Sequence, residues 1–337
     1  MRLRSIGDTV LATPSLVALR RFLPDAQIDI LLEDWVAPVL EGLDAVDNVL
    51  TVSRNSKKSR FEVARKVRRN RYDVAFNLHG GTTATFFVRV SGARHRVGFS
   101  HYSYKFLYNH LLSSAVDFWQ RKIIHSAEQQ LALLGFVGVP VKDCPKSHLA
   151  VTKERADEMD LFLHVHGIDE EKIALIHPAA AFDTKQWATE NFAKVIDYLA
   201  SRGIFSVVVA TPKEEHIINE LSKKTSTLFH GFTDLTLPEI AALAARADVF
   251  VGNDSGIAHI AAAVQTPSVV VFGSSNINHW RPWTDAPNEI VYEKMPCQPC
   301  AGYFCKEFDA PECIRRVTVS QVIRAAERVL AEAAGQI

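Results

Sequence analysis

Three segments of the chain place together residue types that could bind an anion or move a proton. The first is Val249-Phe250-Val251-Gly252-Asn253-Asp254-Ser255-Gly256-Ile257-Ala258-His259, an apolar β-rich run that ends in a small polar turn and then takes up a helical pattern. Asp254 or Ser255 would cap that helix, and the free amides of Ser255, Gly256 and Ile257 would suit a phosphate or a sugar hydroxyl. Gly256 would let a ligand approach the backbone closely. The plain alternative is an ordinary cap on a buried strand–helix unit, with His259 a packing histidine in a first turn that disfavours imidazolium. The second segment is Ile176-His177-Pro178-Ala179-Ala180-Ala181, followed by Thr184-Lys185-Gln186-Trp187. Small residues let amides reach a diphosphate and lysine adds a point charge; a surface lysine beside a core tryptophan is the alternative. The third is Ser5-Ile6-Gly7-Asp8, where a carboxylate after the first strand could take a proton from an acceptor hydroxyl, or serve only as a turn or cap.

The elements that must position these residues alternate along the chain. Met1 to Ser5 reads as the end of a short strand, truncated or continued upstream. A helical pattern from Thr9 to Phe22 follows, with Pro14 marking a start near Thr13 or a kink. Strands are expected at 26–32, 49–52, 72–78 and 96–98, with helices at 35–40, 61–70 and 118–134. A charged helix at 153–166 opens a second series: strands at 172–177, 205–210, 249–252 and 268–272, helices at 191–202, 214–223, 237–245 and 256–264, and a closing helix at 319–334. Two such series predict an α/β protein of twin doubly wound domains with parallel sheets, whose ligands sit beyond the carboxyl ends of the strands.

The 337 residues suffice for two domains, with 47% hydrophobic and 23% charged residues and a formal net charge of zero. No global field favours nucleic acid, so an anionic partner must be met by a local patch. No secretory signal or membrane-length apolar stretch is read from the sequence, and a cytoplasmic protein is expected, peripheral at the inner membrane face at most.

Together and in this order, the three segments resemble glycosyltransferase family 9, the lipopolysaccharide heptosyltransferase family, over nearly the whole chain. The resemblance runs through the Gly-Asp turn with Leu11, Thr13, Pro14 and Leu16. It continues through His-Pro-small and Lys-x-Trp with Glu190, Asn191 and Phe192, and through Asp254-Ser255-Gly256 and His259 with Thr266-Pro267 and Phe272-Gly273. It implies a GT-B fold, two Rossmann-like domains facing a cleft: an acceptor domain at 1–155, a donor domain at 156–316, and a C-terminal helix at 317–337 packing back toward the first domain. It implies an inverting, metal-independent transfer of heptose from ADP-heptose to the lipopolysaccharide inner core, with no cofactor. Asp8 would be the base and Lys185 would stabilise the leaving diphosphate. Thr184, Glu215, Leu235, Asp254, Ser255, Gly256 and His259 would line the donor site, with Glu214 an alternative to Glu215. Ala179, Ala180 and Ala181 stand where some members carry hydroxyls, which leaves phosphate contact to amides and Thr184. Another nucleotide sugar used for a surface polysaccharide, or a nucleotide-sugar epimerase on the same fold, are the competing readings. No Asp-x-Asp metal motif is seen.

Lys57, Lys58, Arg60, Arg65, Lys66, Arg68, Arg69 and Arg71 face only Glu62. They are read as a basic edge for an anionic, lipid-linked saccharide or for anionic lipid headgroups, or as a solvated helix face. Lys57, Lys58 and Arg60, expected in a loop, are the acceptor candidates, with His79 and Thr82 after a strand. Four of the five cysteines, Cys297, Cys300, Cys305 and Cys313, resemble a cluster seen in many family members. Their spacing fits either a zinc site or reduced thiols packing an irregular loop.

Overall fold

The computed structural model describes residues 1–168, 172–300 and 302–335. The chain divides into two compact units, Met1–Ala150 and Val151–Ile337, ahead of the expected break at 155/156. The division falls there because Thr152 caps the helix that opens the second unit, accepting a hydrogen bond from the Arg155 amide.

In the first unit the elements run α1 (Ile6–Val10), α2 (Thr13–Phe22), β1 (Asp29–Glu33), β2 (Asn48–Val52), α3 (Lys57–Arg69), β3 (Val74–Phe76), α4 (Thr82–Ser91), β4 (His95–Phe99), β5 (His110–Leu112), α5 (Ala115–Trp119) and α6 (Ser126–Phe136). All pairings are parallel, β1 with β2 and β3–β4–β5 in a row. The extended residues 1–3 join the two pieces. The Arg2 amide donates to Leu31 and the Glu33 amide to Leu3, while Leu78 donates to the Met1 carbonyl on the other side. The resulting spatial order is β2, β1, residues 1–3, β3, β4, β5. The chain thus runs one way from its central strand and then the other, as in a doubly wound sheet.

The second unit runs α7 (Lys153–Val165), β6 (Lys172–His177), α8 (Thr189–Ser201), β7 (Ile204–Val209), α9 (Glu215–Lys224), β8 (His230–Phe232), α10 (Leu237–Arg246), β9 (Val249–Asn253), α11 (Gly256–Ala263), β10 (Ser268–Phe272), α12 (Ile277–Trp280), β11 (Asn288–Tyr292), α13 (Glu312–Arg315) and α14 (Val319–Ala334). Its parallel sheet has the order β11-β10-β9-β6-β7-β8, which is the same winding. Strands β6, β9 and β10 are apolar nearly throughout because helices cover both faces. Trp187 is fully buried beside Phe192 in this core, and its indole nitrogen donates to the Val317 carbonyl at 2.8 Å.

Several expectations change. The helix read from Thr9 to Phe22 is two helices, interrupted at Leu11 and Ala12, with Pro14 in the first turn of the second. The helix read at 118–134 is α5 and α6, separated where Gln120 adopts a left-handed conformation (φ 53°). Lys57, Lys58 and Arg60 are not in a loop but in the first turn of α3, which Ser56 caps. The closing helix, expected to pack toward the first domain, lays Val322, Ala325, Ala326 and Val329 on the second unit's core with Val269, Val271 and Val291. Arg328 pins it to Glu289 of β11. Residues 336 and 337 of that expected segment lie outside the described residues. Among those described, no helix is long and apolar enough to cross a membrane.

Candidate functional site

In the second unit the sequence-predicted residues converge where the winding reverses, at the carboxyl ends of β6 and β9. Strand β9 delivers Asp254, Ser255 and α11. This helix is buried on almost every face, so it is apolar all round, and it ends where Gln265 turns left-handed (φ 65°) ahead of Pro267. Ser255 occupies the cap position, yet its side chain makes no capping bond. Its hydroxyl instead shares a hydrogen bond with His177 Nδ1 at 3.1 Å. The first amides of α11 are therefore without a side-chain partner from the cap, which suits an anion. Burial lowers the pKa of His177 from 6.5 to about 4, against a small opposing pull from Glu214. The ring is neutral at physiological pH.

Lys185 meets Asp254 across the same crevice, Nζ to Oδ2 at 2.7 Å, with Asp254 almost fully buried. Ser275 also donates to Asp254 Oδ2, at 2.5 Å. The Lys185 ammonium lies 5.3 Å from the centre of the Phe182 ring. The loop that carries it is fixed from below. Gln186 bonds the Ala180 amide and the Pro178 carbonyl. Asn253 donates to Pro178 and accepts from the Trp187 amide. Gln186 and Asn253 thus fix the amides of Ala180 and Trp187, while His177, Ser274 and Ser275 hold the side chains of Ser255, Thr184 and Asp254. No sequence signal marks any of these five as a site residue, beyond the position of Ser274 and Ser275 after Phe272-Gly273 at a strand's carboxyl end.

Thr184 departs from expectation. It is 1% exposed. Its hydroxyl donates to Gly302 and accepts from Ser274, so it ties loops together rather than presenting to a ligand. Glu214 closes a capping box with Thr211, which leaves the exposed Glu215, first residue of α9, as the carboxylate at the end of β7. Leu235 is half-buried in the loop after β8, and His259 is buried in α11. Cys297, Cys300, Cys305 and Cys313 are free thiols lining a cavity of about 210 Å³ beside Thr184. Burial and the neighbouring cysteines push Cys300 and Cys313 up, which keeps them protonated. Among the described residues no three His, Cys, Asp or Glu side chains are placed to hold a metal ion.

In the first unit the corresponding reversal lies between residues 1–3 and β3. Asp8, on α1, is ion-paired with Arg2 and accepts from Ser5 Oγ at 2.6 Å. The Arg2 guanidinium is buried and also donates to the Leu78 carbonyl at 2.5 Å. His79 follows in the loop after β3, where Asn77 Oδ1 accepts from the amides of His79 and Gly80. Burial first, then the Arg2 and Arg4 cations, lower the pKa of His79 to about 4. The fold thus brings His79 and Asp8 into one electrostatic neighbourhood. Thr82, the other acceptor candidate expected after this strand, is the exposed first residue of α4. Lys57, Lys58 and Arg60 are exposed on α3; Lys58 approaches Glu62 at 3.9 Å and Arg60 donates to the Arg54 carbonyl. A larger cavity of about 670 Å³ lies at the opposite, amino ends of these strands, lined by Asp29, Tyr72, His95 and His110 among others, away from these loops.

Comparison with known proteins agrees with this arrangement. Residues 60–309 match the model of glycosyltransferase family 9 (heptosyltransferase). The chain is 29% identical to a lipopolysaccharide heptosyltransferase 3 of Escherichia coli over 87% of this chain and 89% of that one. It is 28% identical to its counterpart in strain K12 over 98% and 97%. Among solved structures, a glycosyl transferase family 9 protein from Veillonella parvula superposes with a TM-score of 0.85 at 23% identity, covering 98% of this chain and 95% of that one. The E. coli ADP-heptose lps heptosyltransferase II gives 0.81 at 19% identity over 99% and 100%. The twin Rossmann-like units are those of a GT-B fold, and the family match covers both of the loop sets described in the second unit. The chain belongs to glycosyltransferase family 9 and is a glycosyltransferase.

Proposed function

We propose that the protein transfers heptose from ADP-heptose to the inner core of lipopolysaccharide, with inversion at the anomeric carbon. The observation that carries this reading is the second unit's crevice, where Lys185 and Asp254 pair beside the uncapped start of α11. A diphosphate would compete with Asp254 for the Lys185 ammonium and take the free amides of Ser255, Gly256 and Ile257. Asp254 would then be released to the hydroxyls of the donor sugar. As the glycosidic bond breaks, negative charge grows on the departing phosphate. A fixed cation and a helix start stabilise that charge most at the transition state.

The acceptor hydroxyl attacks from the face opposite the diphosphate and loses its proton to Asp8. Glu215 and Leu235, at the ends of β7 and β8, are assigned to the nucleoside, and His259 to the donor site. Lys57, Lys58 and Arg60, with His79 and Thr82, are assigned to the acid groups and sugars of a lipid-linked acceptor at the membrane surface.

Acceptor-dependent ADP release from ADP-heptose, measured with and without heptose-deficient lipopolysaccharide, tests the reading. Asp8→Ala should lower turnover by about 10²–10⁴-fold while ADP binding persists. Tight binding of a uridine nucleotide in place of ADP would overturn the donor assignment, and donor epimerisation without any acceptor would overturn the transfer itself.

A further inference from the structure

Both carboxylate oxygens of Asp8 are held. Ser5 Oγ donates to Oδ2 at 2.6 Å, and Arg2 pairs with Oδ1. Ser5 does this from a backbone conformation of φ 66°, ψ 137°. Glycine adopts that conformation readily and a residue with a side chain does not. The same hydroxyl accepts from the Asp8 amide at 3.3 Å and so caps α1. Capping does not account for serine here, because glycine at a cap position loses only a little helix stability. What glycine lacks is the hydroxyl on Oδ2. A strained side chain retained against a residue that fits the backbone better points to a function.

We propose that Ser5 is a positioning residue for Asp8, retained despite its strained backbone so that its hydroxyl aims the carboxylate at the acceptor. The inference rests on Asp8 being the base of the transfer. With Oδ1 on Arg2 and Oδ2 on Ser5, rotation of the carboxylate about its side-chain bonds is blocked. A base held in one orientation gives an attack geometry that a freely rotating one reaches only part of the time. Ser5 touches neither substrate; it acts through Asp8.

Four variants of the full chain separate this role from a structural one: Ser5→Gly, Ser5→Ala, Ser5→Thr and Asp8→Asn. Each is followed by thermal melting and by steady-state transfer from ADP-heptose to heptose-deficient lipopolysaccharide. Ser5→Gly should melt at or above the wild-type temperature, because its backbone is relieved, yet lose about tenfold or more in kcat with the donor KM unchanged. Ser5→Ala should lose on both counts, and Ser5→Thr should keep most of kcat while melting lower. Wild-type kcat in Ser5→Gly, or a Ser5→Gly protein that melts well below wild type, overturns the proposal. Full activity in Asp8→Asn would instead remove the base itself, whereas an inactive Asp8→Asn beside a fully active Ser5→Gly removes only the positioning role.

Discussion

Asp254 is a carboxylate that the fold has taken almost completely out of water, and Lys185 is the cation that makes this tolerable. Breaking such a pair from one side leaves a buried charge, which costs more than the pair contributes. Lys185→Met should therefore destabilise the second unit by about 1–3 kcal/mol, read from denaturant unfolding. It should also slow transfer by about 10²–10³-fold. Adding Asp254→Asn should recover most of the stability and none of the activity, since the neutral amide no longer needs a counter-ion but the diphosphate still does. A double variant as unstable as Lys185→Met would show that the ammonium supports the loop in some other way.

The elements matter through the loops they hold. Gly273 follows β10 and lies directly against the turn that bears Lys185. A Cβ placed there would lie 2.0 Å from the Thr184 carbonyl oxygen, well inside contact distance. Gly273→Ala must push back a turn that is also tied by Thr184 to Gly302 and Ser274. The expected outcome is a loss of about 1–3 kcal/mol from overpacking and a fall in kcat as Lys185 is displaced. Wild-type kinetics in a folded Gly273→Ala protein would disprove the link between this glycine and the lysine. Element by element, the long, well-buried pieces were legible: strands 172–177 and 268–272 and helix 319–334 were read to the residue. The edge strands β5, β8 and β11 were not, because short, half-exposed strands such as His230–Phe232 show no alternation to read. Helix α4 was also missed. Its buried positions Ala84, Phe87, Val88 and Ser91 keep helical spacing, but its Thr, Phe and Val content favours a strand on propensity alone.

At the scale of the whole molecule, the two units repeat one winding, and each holds a neutral histidine where its sheet reverses, His177 buried and His79 half-buried. For His177 the folded pKa, about 4, lies below the unfolded value of 6.5. Between those values the unfolded chain binds a proton that the folded chain refuses, so stability falls as pH drops from 6.5 to 4 and levels off below. The contribution is fully present above pH 6.5. For His177 it is on the order of 3 kcal/mol; for the half-buried His79 it has the same sign and is smaller. His177→Gln should flatten the pH dependence of unfolding over this window, and an unchanged slope would show that the ring is not buried as a neutral group.

The sequence by itself determined the two alternating series, the strand ends that carry Asp8, Lys185 and Asp254, and the helix start after Asp254. All of these are local: apolar periodicity, turn residues and caps act over a few neighbours. Only the tertiary structure decided who meets whom. Ser255 finds His177 across 78 residues, Asp254 finds Lys185, and Arg2 links Leu78 to Asp8, because parallel crossovers carry the carboxyl ends of non-consecutive strands to one edge of a sheet. It also decided that Thr184 faces inward, that Ser255 leaves its helix uncapped, and that Ser5 holds a glycine-like backbone beside the carboxylate it fixes. No spacing rule encodes these outcomes; they follow from the order in which the strands lie side by side.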